Sequence, residues 1–341
     1  MTSALQAIPE WHDVDAETFR RDIATQYRPA VLRGLVKDWP AVRQSAISPE
    51  ALCRYLIERD NGSDVDAIMT PPEAQGRIFY NAEMDGFNFL RNRLPISRVI
   101  EQVLRYSLFA HPPAVAVQSA LIAGCLPSLL RDHPMPLLDE SIAPRIWLGN
   151  AITTPAHVDE SNNIACVVSG RRRFTLFPPE QVRNLYIGPL DFNPTGTTPI
   201  SLVSFRQPDF ERFPRFRDAL AAALVAELSP GDAIFIPALW WHHVESLNAV
   251  NLLVNYWWYD SADPRRQPAS GLDALLHCLL NLKGLAPEHR AAWGALFNHY
   301  LFDADSDPAG HIPPHRRGVL GDLSPERVQE IRKILIGKLQ Q

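Results

Sequence analysis

The sequence predicts a mainly β core, a sandwich or barrel over about residues 109–260, set between a mixed α/β N-terminal region and a helical C-terminal one. Three observations predict it. From 109 to 260, short runs rich in β-branched and aromatic residues are punctuated by Pro and Gly, the pattern of strands joined by turns. Before residue 108, helix-start signals and apolar strand-like runs are interleaved. After 260, apolar residues recur at helical spacing.

The elements follow in chain order. Asp15-Ala16-Glu17 opens a helical stretch through Ala24, and residues 29–35 read as a short apolar strand ended by Gly34. Ser48-Pro49-Glu50 combines an N-cap with Pro at the first helical position and starts a helix through Ile57. Strand-like runs lie at 64–69 and 77–80, and a helix at 96–106. The core strands are read at 114–119, 145–148, 163–168, 173–177, 233–236 and 251–259. An insertion at 178–228 breaks the rhythm with a Pro-rich loop and one helix at 216–227. Helices follow at 271–282, 287–301 and 325–339, with a Pro-, Gly-, Asp- and His-rich linker at 305–318. Residues 1–108 are therefore an N-terminal α/β extension packing on the core, 109–260 the β core, and 261–341 a helical region. Leu272, Leu275, Leu276 and Leu279 share one helical face there, which makes the region a candidate dimerisation element.

Composition narrows the class. The 341 residues are 46% hydrophobic and 21% charged, ordinary for a soluble globular protein. A formal net charge of −5 gives no electrostatic footprint for nucleic acid. Basic runs at Arg171-Arg172-Arg173 and Arg316-Arg317 are the kind that mostly form solvated faces. Cys53, Cys125, Cys166 and Cys278 are far apart without CxxC spacing, so neither a zinc ribbon nor a disulfide framework is predicted. Residues 1–13 lack the basic and apolar regions of a secretory signal, and no apolar run approaches a membrane span. A cytoplasmic protein without membrane attachment is the expectation.

Two remote segments carry the chemistry: Thr154-Pro155-Ala156-His157-Val158-Asp159 and Trp240-Trp241-His242-His243-Val244. Residues i and i+2 of a strand face the same side, so His157 and Asp159 can reach one ion while Val158 packs the other way. A third ligand has to come from a strand adjacent in space. The turn and apolar run at 228–237 delivers the second segment, where either His242 or His243 can supply it; parity alone does not choose. Two histidines and a carboxylate on one face of a metal leave the opposite positions open, the ligand set of non-haem iron(II). Zinc accepts the same donors, and an isolated His-x-Asp is most often a surface pair or a helix-capping Asp.

The motifs resemble a known family. The run from His157 to Gln181, the stretch Pro208-Asp209-Phe210-Glu211-Arg212-Phe213-Pro214, the turn Ser229-Pro230-Gly231-Asp232, residues 236–246 and Val254-Asn255-Tyr256-Trp257 resemble, in order, the cupin-like branch of the JmjC-type iron(II)- and 2-oxoglutarate-dependent oxygenases. That branch contains the asparaginyl hydroxylase factor inhibiting HIF. Residues 28–40 and 79–89 resemble its N-terminal extension. The resemblance implies a double-stranded β-helix, the cupin or jelly-roll core, with a metal inside its open end. It implies His157, Asp159 and His242 as iron ligands, with His243 in a supporting or packing role. It places Arg172 on the distal carboxylate of 2-oxoglutarate, where the family usually carries Lys; an Arg fork can meet a carboxylate with two hydrogen bonds. Arg171 or Arg173 could share that role. Thr154 is implied as a hydroxyl donor to the same carboxylate, and Asn163 and Asn255 as amides near the cosubstrate. Gln118 matches a substrate-contacting Gln, and Trp257, in phase with Asn255, faces the same interior. Residues 114–119 lack the Tyr that relatives place there.

The activity implied is hydroxylation of a protein or peptide side chain, or of a small molecule, using dioxygen and releasing succinate and CO2. The cofactors implied are Fe(II) and, as cosubstrate, 2-oxoglutarate. Relatives dimerise through C-terminal helices, so a homodimer is expected. The competing reading is a non-redox metal-binding cupin, an isomerase or a sugar- or carboxylate-binding protein.

Overall fold

The computed structural model describes residues 6–194, 196, 198–260, 270–303, 305 and 307–340. The expected domain boundary at 261 and the first five residues fall outside that set. The chain divides into two compact units, residues 1–268 and 269–341.

The first unit is built from fourteen described strands: β1 (Gln6–Ala7), β2 (Glu10–His12), β3 (Ala30–Arg33), β4 (Asp64–Thr70), β5 (Leu90–Pro95), β6 (Ala114–Leu121), β7 (Pro144–Gly149), β8 (Thr153–His157), β9 (Asn162–Ser169), β10 (Arg172–Phe177), β11 (Leu224–Leu228), β12 (Ala233–Ile236), β13 (Trp241–Ser246) and β14 (Asn251–Trp258). They form a small sheet, β1-β11-β10-β13-β8, and a large one, β2-β3-β12-β9-β14-β7-β6-β4-β5. This is a mainly β jelly-roll core.

Three apolar layers follow from side-chain alternation along the strands. Between the sheets lie Phe174, Leu176, Leu224 and Leu228 from the small sheet against Val31, Val167, Ile234 and Leu253 from the large one. The opposite face of the large sheet packs on the helices Pro40–Ile47, Pro49–Ile57 and Ile96–Tyr106. The last of these buries Ile96, Val99, Ile100 and Val103 completely, an i, i+3, i+4, i+7 stripe. At roughly 1.5–3 kcal/mol per side chain, that stripe anchors the helix. The outer face of the small sheet is covered by Phe205, Phe213 and Phe216 of the insertion. Asp232 ties the N-terminal strands to the core: it accepts from the backbone of Gly34 and Ser229 and pairs with Arg33 at 2.7 Å.

Two expectations are corrected. Residues 77–80 are not a strand; Arg77 and Tyr80 make only isolated bridges, to Thr153 and Phe87. The helix read at 216–227 ends at Ala221, and Leu224–Leu228 is a strand between β1 and β10. The Ala-rich run favours helix, but Leu224, Ala226 and Leu228 gain burial between the sheets, and tertiary packing overrides propensity. Three described helices of the second unit, Gly271–Leu282, Pro287–Phe297 and Pro325–Leu339, stand where the periodicity placed them. Among the described residues no helix is long and apolar enough to cross a membrane.

Candidate metal centre

The register of the small sheet assembles the site. β8 and β13 are antiparallel neighbours in which His157 sits opposite His242, so both imidazoles project from the same face. Their ring centroids are 4.1 Å apart. Asp159 lies two residues beyond the end of β8 and turns back toward the pair, with Oδ2 at 3.6 Å from His242 Nε2. Ligand atoms of His157, Asp159 and His242 all lie within 4.8 Å of one another. Among the described residues this is the one such cluster.

Each imidazole is held in the tautomer a metal needs. Nδ1 of His157 donates to the Pro155 carbonyl at 2.9 Å, and Nδ1 of His242 to the Trp240 carbonyl at 3.0 Å. Both bonds run to the carbonyl two positions back in the chain, so in each ring Nδ1 is engaged as a donor and Nε2 is the nitrogen left to meet a metal. Burial pushes the His242 pKa down, His157 adds to the effect, and Asp159 opposes it. Fixed imidazoles beside a carboxylate are a donor set suited to a divalent transition metal.

His243 faces the other way. It stacks on Phe205, centroids 4.2 Å apart and planes at 24°, outside the small sheet. Burial pushes its pKa down to about 3. The cluster therefore contains His242 and not its neighbour, a choice that the register of β13 makes.

Arg172 begins β10, directly after the hairpin turn at Gly170, whose φ of +71° suits glycine. Its register partner on β13 is Ser246, two inward-facing pairs along from Leu176 opposite His242. Four residues of strand separate His242 from Ser246, about 13 Å. Arg172 is buried, and no carboxylate among the described residues pairs with it. Its Nε has no hydrogen-bond partner there either, and burial pushes its pKa down to about 10. It lines a cavity of about 30 Å³ with Thr154, Gln118, Trp147 and Ser246. A buried cation without an anion, beside hydroxyls and an amide, fits an incoming carboxylate. Arg171 and Arg173 do not share this position: both pair with Glu227 on the outside of the sheet, at 3.5 and 2.6 Å.

The remaining candidates are placed as follows. Asn163 donates to Asp159 Oδ2 at 3.4 Å and accepts from Asn255 at 3.4 Å. Trp257 donates its indole N–H to the same Oδ2 at 3.0 Å. Gln118 lies in β6, where the pairing with β7 slips between Val117 and Ala120 and Ser119 takes a left-handed φ of 50°. Trp147, which the sequence reading passed over, donates to Asn255 Oδ1 at 2.9 Å. Its only sequence signal is its phase with Arg145 on β7, and that signal is equally the mark of core packing.

A jelly roll with two histidines and one aspartate gathered between its sheets defines a class of metal-binding β proteins. The chain belongs to the cupin-like domain family, which matches residues 16–264. HSPB1-associated protein 1 of Homo sapiens is 33% identical over 150 residues, 43% of this chain and 30% of that protein. The chain thus matches less than a third of that relative's length. The tRNA wybutosine-synthesizing protein 5 of Danio rerio is 27% identical over 315 residues, covering 83% of this chain and 88% of that one. The bifunctional peptidase and (3S)-lysyl hydroxylase JMJD7 of Homo sapiens is 26% identical over 287 residues, covering 75% and 85%.

Proposed function

We propose that the chain is an iron(II)- and 2-oxoglutarate-dependent oxygenase that hydroxylates a protein or peptide side chain, or a small molecule, and releases succinate and CO2. The observation that carries the reading is the pairing of the His157-Asp159-His242 cluster with a buried, acid-free Arg172 on the same inner face. A metal alone would not require the cation; a metal plus a carboxylate-bearing cosubstrate requires both. Iron(II) held by the three side chains would supply the binding and activation of dioxygen and the keto acid. The chain's own residues do the rest. Arg172 and Thr154 take the distal carboxylate, and Asn163 and Asn255 lie where the proximal end would sit. Phe174 and Leu176, buried between the sheets, and the half-buried Trp257 against Asp159 exclude water from the reacting region. Gln118 stands on the wall facing a prime substrate. The relatives named for lysyl hydroxylation and for tRNA wybutosine synthesis span two substrate classes. The net charge of −5 favours a protein or small-molecule substrate over a polyanion.

Succinate release from 2-oxoglutarate by purified protein, with and without added iron(II), tests the reading. His157→Ala and Asp159→Ala are expected to abolish release while leaving the circular dichroism of the β core in place. Full release from Asp159→Ala would remove the iron assignment. Tight metal binding with no succinate, under any iron or ascorbate condition, would favour the non-redox cupin instead.

A further inference from the structure

We infer that Trp257 is a positioning residue for the metal-binding carboxylate, acting beside Asn163, which ends a one-way hydrogen-bond chain that begins at Trp147. The inference rests on reading the His157-Asp159-His242 cluster as a metal centre. The chain runs from Trp147 Nε1 to Asn255 Oδ1 at 2.9 Å, from Asn255 Nδ2 to Asn163 Oδ1 at 3.4 Å, and from Asn163 Nδ2 to Asp159 Oδ2 at 3.4 Å. Its direction is set at both ends. An indole N–H can only donate, so Asn255 must turn its oxygen toward Trp147; an ionised carboxylate can only accept, so Asn163 must turn its NH2 toward Asp159. Every amide in between is thereby oriented with its positive end toward Asp159.

Trp257 delivers the shorter contact. Its indole meets Asp159 Oδ2 at 3.0 Å, against 3.4 Å for Asn163, so it carries the larger share of the restraint. The rotamer is supported from two sides. Trp257 pairs in register with Asn163 across β14 and β9, and the Trp147 ring lies edge-on to it at 6.2 Å and 88°. Both donors converge on Oδ2, and no described residue donates to Oδ1. That asymmetry fixes the rotation of the carboxylate about its Cβ–Cγ bond.

The test is Trp257→Phe in the full chain, which keeps an aromatic ring and deletes the N–H. The probes are Mn2+ titrated by calorimetry and the visible absorption of the Co2+-loaded protein. The expected result is a 10- to 100-fold weaker Mn2+ affinity and an altered Co2+ band, with the melting temperature of the metal-free protein little changed. Equal affinity and an identical Co2+ spectrum overturn the inference, because a purely packing role would leave both unmoved. If the unsubstituted chain binds neither ion, the metal reading falls first and this inference with it. Should Trp257→Phe fail to fold, Trp147→Phe decides. That residue does not touch Asp159, so a smaller loss of Mn2+ affinity supports the chain and an unchanged affinity overturns it.

Discussion

Arg172 shows how much one buried side chain can say about a ligand. Taking a guanidinium out of water costs several kcal/mol, which only a partner of opposite charge offsets. Among the described residues Arg172 has none, and its Nε is left without a hydrogen bond. The charge is therefore a strain on the free protein and an asset to the complex. Arg172→Met, similar in length and apolar, is expected to raise the melting temperature in anion-free buffer. It is also expected to abolish the stabilisation that 2-oxoglutarate gives in the presence of Mn2+. Loss of a charge-assisted hydrogen bond worth about 1.5–3 kcal/mol corresponds to roughly 10- to 150-fold weaker cosubstrate binding. Scanning fluorimetry across a 2-oxoglutarate series checks both halves. A lower melting temperature with the ligand response intact would hand the role to another residue. The sequence made Arg172 a candidate by motif, but its isolation from every acid could not be read there. Strand parity left His242 and His243 open; the resemblance chose His242, and one step of strand register sets it opposite His157.

Elements differ in how much of themselves they write into the sequence. The inner strands β9, β10, β12 and β14 have long apolar or β-branched runs bounded by turns, and each was legible within two residues. Helices with an apolar stripe, Pro49–Ile57 capped by Ser48 and the uncapped Ile96–Tyr106, were equally plain. The strands β1, β2 and β5 were not. The first two are only two and three residues long, and β5 is an exposed edge whose Leu-Arg-Asn-Arg-Leu-Pro run lacks alternation. The helix Pro40–Ile47 was missed for a different reason: its cap is remote. Trp39 at its N-cap makes no side-chain bond to the helix, its indole donating to the Pro134 carbonyl, and the free N–H of Ala41 is met instead by Nε2 of His133 at 3.1 Å. Nδ1 of His133 donates to Leu129, so Nε2 must be unprotonated to accept. Burial accordingly pushes the His133 pKa below its ordinary 6.5. In the unfolded chain this group takes up a proton near pH 6.5, while in the fold it resists. Stability is thus fully present above that pH and falls as pH drops from 6.5 toward the lower folded value. His133→Gln removes the titration and leaves an acceptor. Chemical denaturation at pH 7.5 and pH 5 is expected to show a shallower pH slope in the variant, by up to about 1.4 kcal/mol per pH unit. Identical slopes would dissociate the cap from the acid sensitivity.

At the scale of the whole molecule, the second unit stands out because its helices bury so little. None of Gly271–Leu282, Pro287–Phe297 and Pro325–Leu339 contains a buried residue, and Ala309 is the one buried residue described in the unit. Leu280 is 83% exposed, Phe302 73% and Leu301 69%. Helices are stabilised in proteins mainly by packing an apolar face, and helices that leave so many large apolar side chains exposed point to an interaction surface. We propose that the partner is a second copy of the chain, joined through these helices. An isologous pairing would let the same leucines on each copy cover one another without any further component. Light scattering of the full chain at tens of micromolar is then expected to give twice the chain mass. The double substitution Leu280→Glu and Leu301→Glu, two charges placed on the exposed apolar surface, should return it to the monomer mass. Because the metal-binding residues all lie in the first unit, the monomeric variant should still bind Mn2+, which separates loss of pairing from loss of fold. A full-length protein that stays monomeric throughout that range, with its helical circular dichroism undiminished on dilution, would show that these faces are covered by something other than a twin.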